Sequence, residues 1–119
     1  MVDEKLQMTM LFDFFSDLLT SKQQEYFDLY HNEDFSLSEI AGNAGITRQG
    51  VYDIITRAEK ALELIERKTG VVRRWQETRS ELERAESLAR ELHQMSEGNE
   101  KSTAIANELV LTLEKLAKT

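Results

Sequence analysis

Residues 35–66 read FSLSEIAGNAGITRQGVYDIITRAEKALELIE, and their signals decide the fold. Ser36 and Glu39 stand as S-x-x-E, a capping box that opens a helix at Leu37. Leu37, Ile40, Ala41 and Ala44 then share one face at helical spacing. Gly45 can turn with positive φ, and Ile46 follows it as an apolar plug. Thr47 caps a second helix whose stripe is Val51, Ile54, Ile55, Ala58, Leu62 and Ile65. Ala41, four residues before the glycine, is small enough for the second helix to cross closely. A short helix, a glycine turn and a longer crossing helix make a helix-turn-helix unit. An αα-corner with no nucleic-acid role would carry the same signals.

The second helix leaves Gln49, Asp53, Thr56 and Lys60 opposite its apolar stripe, with Tyr52 and Arg57 on the flanks. Arg48 and Gln49 lie in the first turn, the part of a recognition helix that reaches base edges. Arginine matches guanine O6/N7 and glutamine matches adenine N6/N7, because each presents two aligned hydrogen-bonding groups. Thr47, Arg48, Gln49, Tyr52, Asp53, Thr56, Arg57 and Lys60 are therefore the candidate nucleic-acid-binding residues. The plainer reading is a solvated face, and Asp53 fits it by pairing with Arg57 one turn on. Gly50 costs the first turn about 1 kcal/mol relative to alanine. It would also allow close approach of a backbone, and the sequence does not decide between the two.

These residues carry a resemblance. The stretch LTSKQQEYFDLYHNEDFSLSEIAGNAGITRQGVYDIITRAEKALE resembles the DNA-binding region 4 of bacterial sigma factors. It more closely resembles the YlxM family, small bacterial proteins associated with the signal recognition particle. The carrying residues are Leu19-Thr20, Lys22-Gln23, Tyr26, Tyr30, Ser36-Leu37 and Glu39-Ile40-Ala41. Arg48-Gln49, Val51-Tyr52-Asp53, Ile55 and the Arg57/Glu59/Lys60 run continue them, over roughly residues 5–70. Gly50 departs from the alanine expected there, and the tail beyond Gly70 carries no resemblance. The resemblance implies a sigma-like helix-turn-helix fold and a regulatory role in protein targeting, with no biochemical activity attached.

Upstream, Leu11, Phe14, Phe15 and Leu18 form a stripe extended by Leu6 or Met10. Thr20 and Gln23 make a second capping box, and the helix behind it turns Tyr26, Phe27 and Tyr30 inward. Aromatics so spaced could line a ligand pocket, but more commonly they form core. Asn32-Glu33-Asp34 is the loop into the central motif. With no proline and 5 glycines in 119 residues, and no β-branched alternation, the expected fold is all-α. Four helices over residues 1–70 form the helix-turn-helix domain, and residues 71–119 add a long helical hairpin.

In that C-terminal arm Trp75, Leu82 and Ala89 recur every seven residues, with Thr78, Ala85 and Leu92 between them. Arg79–Glu83 and Glu86–Arg90 are spaced for helical ion pairs, and Gly98 is a helix stop. The last helix carries Ile105, Leu109, Leu113 and Leu116, broadened by Ala106, Val110 and Ala117. One neighbouring helix would cover so broad an arc poorly, so a homodimer through residues 71–119 is expected. Folding back onto the first domain is the other option.

The net charge is −7. Residues 1–35 hold two lysines against eight acids, whereas residues 47–74 hold seven bases against four acids. The overall balance opposes strong non-specific DNA affinity, while the local basic segment permits contact. The acidic N-terminal part could equally meet a basic protein. The absence of cysteine fits a reducing cytoplasm, the first residues do not read as a signal peptide, and no apolar run approaches the roughly 20 residues of a membrane span. His31 and His93 lack cysteine or histidine partners for a metal, and His31 reads as a surface residue complementing a helix dipole. No phosphate loop or nucleophile motif is present, so neither an enzyme nor a cofactor is expected. DNA, signal-recognition-particle RNA and its GTPase all remain open as partners.

Overall fold

A computed structural model describes residues 4–118, and these are all-α. Helices α1 (Glu4–Phe15), α2 (Ser21–His31), α3 (Leu37–Ala44), α4 (Arg48–Thr69), α5 (Val71–Met95) and α6 (Glu100–Ala117) follow in order, with a 3-10 turn at Ser16–Leu18. Contacts divide the chain into two compact units, residues 1–72 and 73–119. No described helix is long and apolar enough to cross a membrane.

Within the first unit, α4 is shared by two clusters of core residues. Leu11, Phe15 and Leu19 pack with Phe27, Ala58, Leu62 and Val72 in one. Tyr26, Ile40, Ala41, Val51 and Ile55 form the other, beneath the α3–α4 corner. The stripe expected on α4 is thus the one that is buried, with Ile54 and Ile65 at its half-buried edges. The stripe expected on α1 is displaced by one residue. The 3-10 turn, closed by Leu19 N–H on Ser16 O at 3.0 Å, tightens the chain. It swings Leu18 out to 67% exposure and turns Leu19 in, and Phe14 and Leu6 also face solvent. In α2, Tyr26 and Phe27 enter the core as expected, whereas Tyr30 remains largely exposed. The Phe27 ring is stacked on Phe12 at 4.5 Å, which fastens α1 to α2.

The entries of α2, α3 and α4 are each secured by a local cap. Thr20 Oγ1 accepts the Gln23 N–H at 3.2 Å while Gln23 Oε1 accepts the Thr20 N–H at 3.0 Å. Gly70, at φ 62°, ends α4. Beyond it, Glu66 reaches past the turn to accept the Val72 N–H at 2.9 Å.

In the second unit α5 and α6 pair through Ala89, Ala106 and Val110, with Leu82, Ala85, Thr103, Leu113 and Ala117 half-buried beside them. The turn at residues 96–99 is as expected, with Gly98 at φ 90° and Asn99 capping α6 through the Ser102 N–H at 3.1 Å. Arg90 bonds Glu86 at 2.8 Å and also Glu114 across the hairpin. Arg79, expected to pair with Glu83, instead donates to the Ala117 carbonyl. The apolar residues expected to lead the α6 seam are offset from it. Ile105, Leu109 and Leu116 are exposed, and so are Leu88, Leu92 and Met95 on α5. The seam thus takes Ala106 and Val110 and leaves the larger side chains on its flanks.

Candidate nucleic-acid interface

The α3–α4 corner is built by short-range bonds. Ser36 Oγ accepts the Glu39 N–H at 3.0 Å, and Glu39 Oε1 accepts the Ser36 N–H at 3.1 Å. Gly45 ends α3 at φ 72°, ψ 27°, a left-handed conformation costly to any residue bearing a Cβ. Its N–H and that of Ile46 both reach the Ala41 carbonyl, at 3.0 and 3.2 Å. Ile46 was expected to plug the core. It is 40% exposed instead, and its Cδ1 lies over the start of α4, where it would be 3.7 Å from a Cβ placed on Gly50. Ala44 is also exposed, because the helix ends before its face can be covered.

Thr47 Oγ1 accepts the Gly50 N–H at 3.0 Å and opens α4. A Cβ on Gly50 would stand 3.2 Å from that oxygen, tighter than ordinary contact. A Cβ would ask Thr47 to give by a few tenths of an ångström, although Gln23 and Glu39 carry one at the equivalent place in their caps.

From this cap Arg48, Gln49, Tyr52 and Asp53 project into solvent on the first turns of α4. Arg48 has no intramolecular hydrogen bond or ion pair among the described residues. Asp53 does not pair with Arg57. It accepts a hydrogen bond from Gln49 Nε2 at 2.9 Å, one turn back on the same helix. Arg57 is exposed further along.

Thr56 and Lys60 stand apart from this group. They line an open groove of about 1020 Å³ between α1, the α2–α3 loop and α4, floored by Met8, Leu11 and Tyr30. Glu59, Glu63 and Glu66 run along the same side of α4, with Arg67 at the end. The eight predicted residues are thus divided: five cluster at the start of α4, Arg57 lies beyond them, and two face the groove.

His31 is not a surface residue. Its side chain is 10% exposed, its ring lies 4.2 Å from that of Phe27, and Nε2 meets Glu59 Oε2 at 3.1 Å. The pair ties the end of α2 to α4, and neither partner could be paired by local spacing because they are 28 residues apart. Among the described residues no group of three His, Cys, Asp or Glu side chains could hold a metal.

Comparison with known proteins agrees with this architecture. The family described as "Putative helix-turn-helix protein, YlxM / p13 like" matches residues 2–107. The UPF0122 protein of Halalkalibacterium halodurans is 42% identical over 116 residues, covering 98% of this chain and 96% of that protein. The UPF0122 protein of Thermoanaerobacter sp. (strain X514) is 49% identical over 84 residues, 71% of this chain and 72% of its own. The UPF0122 protein YlxM of Bacillus subtilis is 42% identical over 88 residues, 74% and 80% respectively. Matched along nearly its whole length and folded around a capped helix-turn-helix corner, the chain belongs to the YlxM/p13-like helix-turn-helix family.

Proposed function

We propose that this chain is a non-enzymatic, cytoplasmic DNA-binding regulator that lays the first turns of α4 in a major groove. The observation that carries the reading is the exposed group Arg48, Gln49, Tyr52 and Asp53, held on a doubly capped corner with the Arg48 guanidinium uncommitted. The acids Glu59, Glu63 and Glu66 keep phosphates away from the rest of that helix face, so contact is confined to its start. With a net charge of −7, binding is weak for one copy. Two copies joined through residues 71–119 would double the contact, and the exposed Leu88, Leu92, Met95, Ile105 and Leu109 supply an apolar surface for that union.

A second reading keeps the link to protein targeting that the family resemblance implies. In it the chain binds the signal recognition particle's RNA or GTPase. The acidic row along the groove favours a basic protein surface over RNA.

Salt titrations on a random duplex pool and on the particle's RNA separate the readings. For DNA, Arg48→Ala costs about 1–3 kcal/mol on a preferred duplex and relaxes its sequence preference. Arg57 is exposed outside the acidic groove, so Arg57→Ala weakens all duplexes alike and lowers the salt slope by about one, whereas Lys60→Ala, inside that groove, leaves both nearly unchanged. For RNA, Arg48→Ala lowers binding with no duplex preference gained or lost, since an A-form major groove excludes the helix. Binding of neither polymer at moderate salt refutes both and leaves the protein partner.

A further inference from the structure

The Gln49–Asp53 hydrogen bond fixes more than a side-chain rotamer. A carboxylate can only accept, so the 2.9 Å contact must come from the amide nitrogen of Gln49, and the amide cannot flip without setting two oxygens against each other. Both residues are exposed, and their i,i+4 spacing on α4 holds them together before any ligand arrives. One amide hydrogen is thereby committed to Asp53. The second hydrogen and Oε1 remain, one donor beside one acceptor.

We infer that Asp53 is a positioning residue which locks Gln49 in the polarity that reads adenine and rejects guanine, an inference that rests on the DNA reading above. Adenine offers an acceptor at N7 and a donor at N6, the complement of the locked amide. Guanine offers two acceptors, N7 and O6. An unrestrained glutamine could turn its NH2 toward either of them. The locked amide instead directs Oε1 at one acceptor. The pair therefore gives selectivity chiefly by excluding guanine, with part of the ordering of Gln49 already complete in the free protein. Arg48, one residue earlier and uncommitted, suits a guanine at a neighbouring step.

The experiment selects bound duplexes from a randomised pool with the full chain and sequences them, for wild type, Asp53→Ala, Asp53→Asn, Gln49→Ala and the double variant. In wild type one position favours adenine over guanine by about ten-fold or more. Asp53→Ala brings that ratio below about three-fold at this position alone, while Asp53→Asn, which still offers an acceptor but can also flip, falls between them. Gln49→Ala abolishes the preference, and adding Asp53→Ala changes nothing further, since Asp53 acts through Gln49. Replacing the adenine by 7-deazaadenine removes the preference in wild type and leaves Gln49→Ala unmoved. A merely structural Asp53 would lower binding to every sequence alike, which overturns the inference. An adenine preference that survives Asp53→Ala, or duplex binding with no such position, also overturns it while leaving the DNA reading intact. No binding to any duplex overturns both.

Discussion

Gly42 and Gly45 lie three residues apart, and alanine at each should move stability in opposite directions. Gly42 is inside α3, and a Cβ there meets nothing within 4 Å. Alanine at this site loses less backbone entropy on folding and should stabilise by about 0.4–1 kcal/mol. Gly45 also has nothing within 4 Å of its Cβ position, so crowding by neighbours is not at issue. Its φ of 72° is, because a Cβ then approaches its own carbonyl oxygen at a cost of about 1–2 kcal/mol. Gly45→Val, with a branched Cβ, extends the loss toward about 3 kcal/mol, and Gly45→Asn, whose side chain tolerates this conformation, should lose least. The two alanine variants are then about 2 kcal/mol apart, or roughly 8–16 °C in melting temperature for a unit of this size. Far-UV circular dichroism melts, with urea titrations to confirm unchanged slopes, read the gap. Equal effects at the two sites, or a Gly45→Val protein as stable as wild type, would refute the assignment of the left-handed turn and the register of α4 with it.

Two further outcomes test the packing. Leu62 is fully buried beside Phe27 and Val72, so Leu62→Ala should cost about 2–5 kcal/mol in urea unfolding, whereas Leu64→Ala, on the exposed side, should stay within about 0.5 kcal/mol. Sedimentation of the full chain at about tens of micromolar should show a dimer or larger species that Leu109→Glu dissociates. A monomeric wild type refutes the union through residues 71–119.

The Ser36 capping box, the Thr47 cap and the Gly45 turn could be read in the sequence, since each depends on residues within four positions of each other, but at that same range Asp53 took Gln49 and not Arg57 as its partner. The α4 stripe was equally plain, since it repeats over several turns. Other failures came from a short irregular turn or from want of range. A 3-10 turn of three residues shifted the α1 stripe onto Leu19, and propensity does not announce such a turn. His31 and Glu59 meet only after α2 and α4 have packed, and the separation of Thr56 and Lys60 from the rest of the predicted face depends on where α1 lies. In α6 the largest side chains misled, because the seam took Ala106 and Val110 and left Ile105 and Leu109 outside. Gly50 reads in the sequence as a cost or as room for a close backbone, and its nearest neighbours are the side chains of Thr47 and Ile46.

The division of the first unit's core has a consequence for how it opens. α4 contributes Val51 and Ile55 to the cluster under the corner, and Ala58 and Leu62 to the one that α1 closes. A single helix whose halves are guarded by different partners need not lose its amide protection in one step. The smaller cluster, formed with α2 and α3, should release its protons to deuterium first. The amides around Ala58–Leu62 should exchange only when α1 leaves, so the helix entry offered to a partner is also the half that breathes.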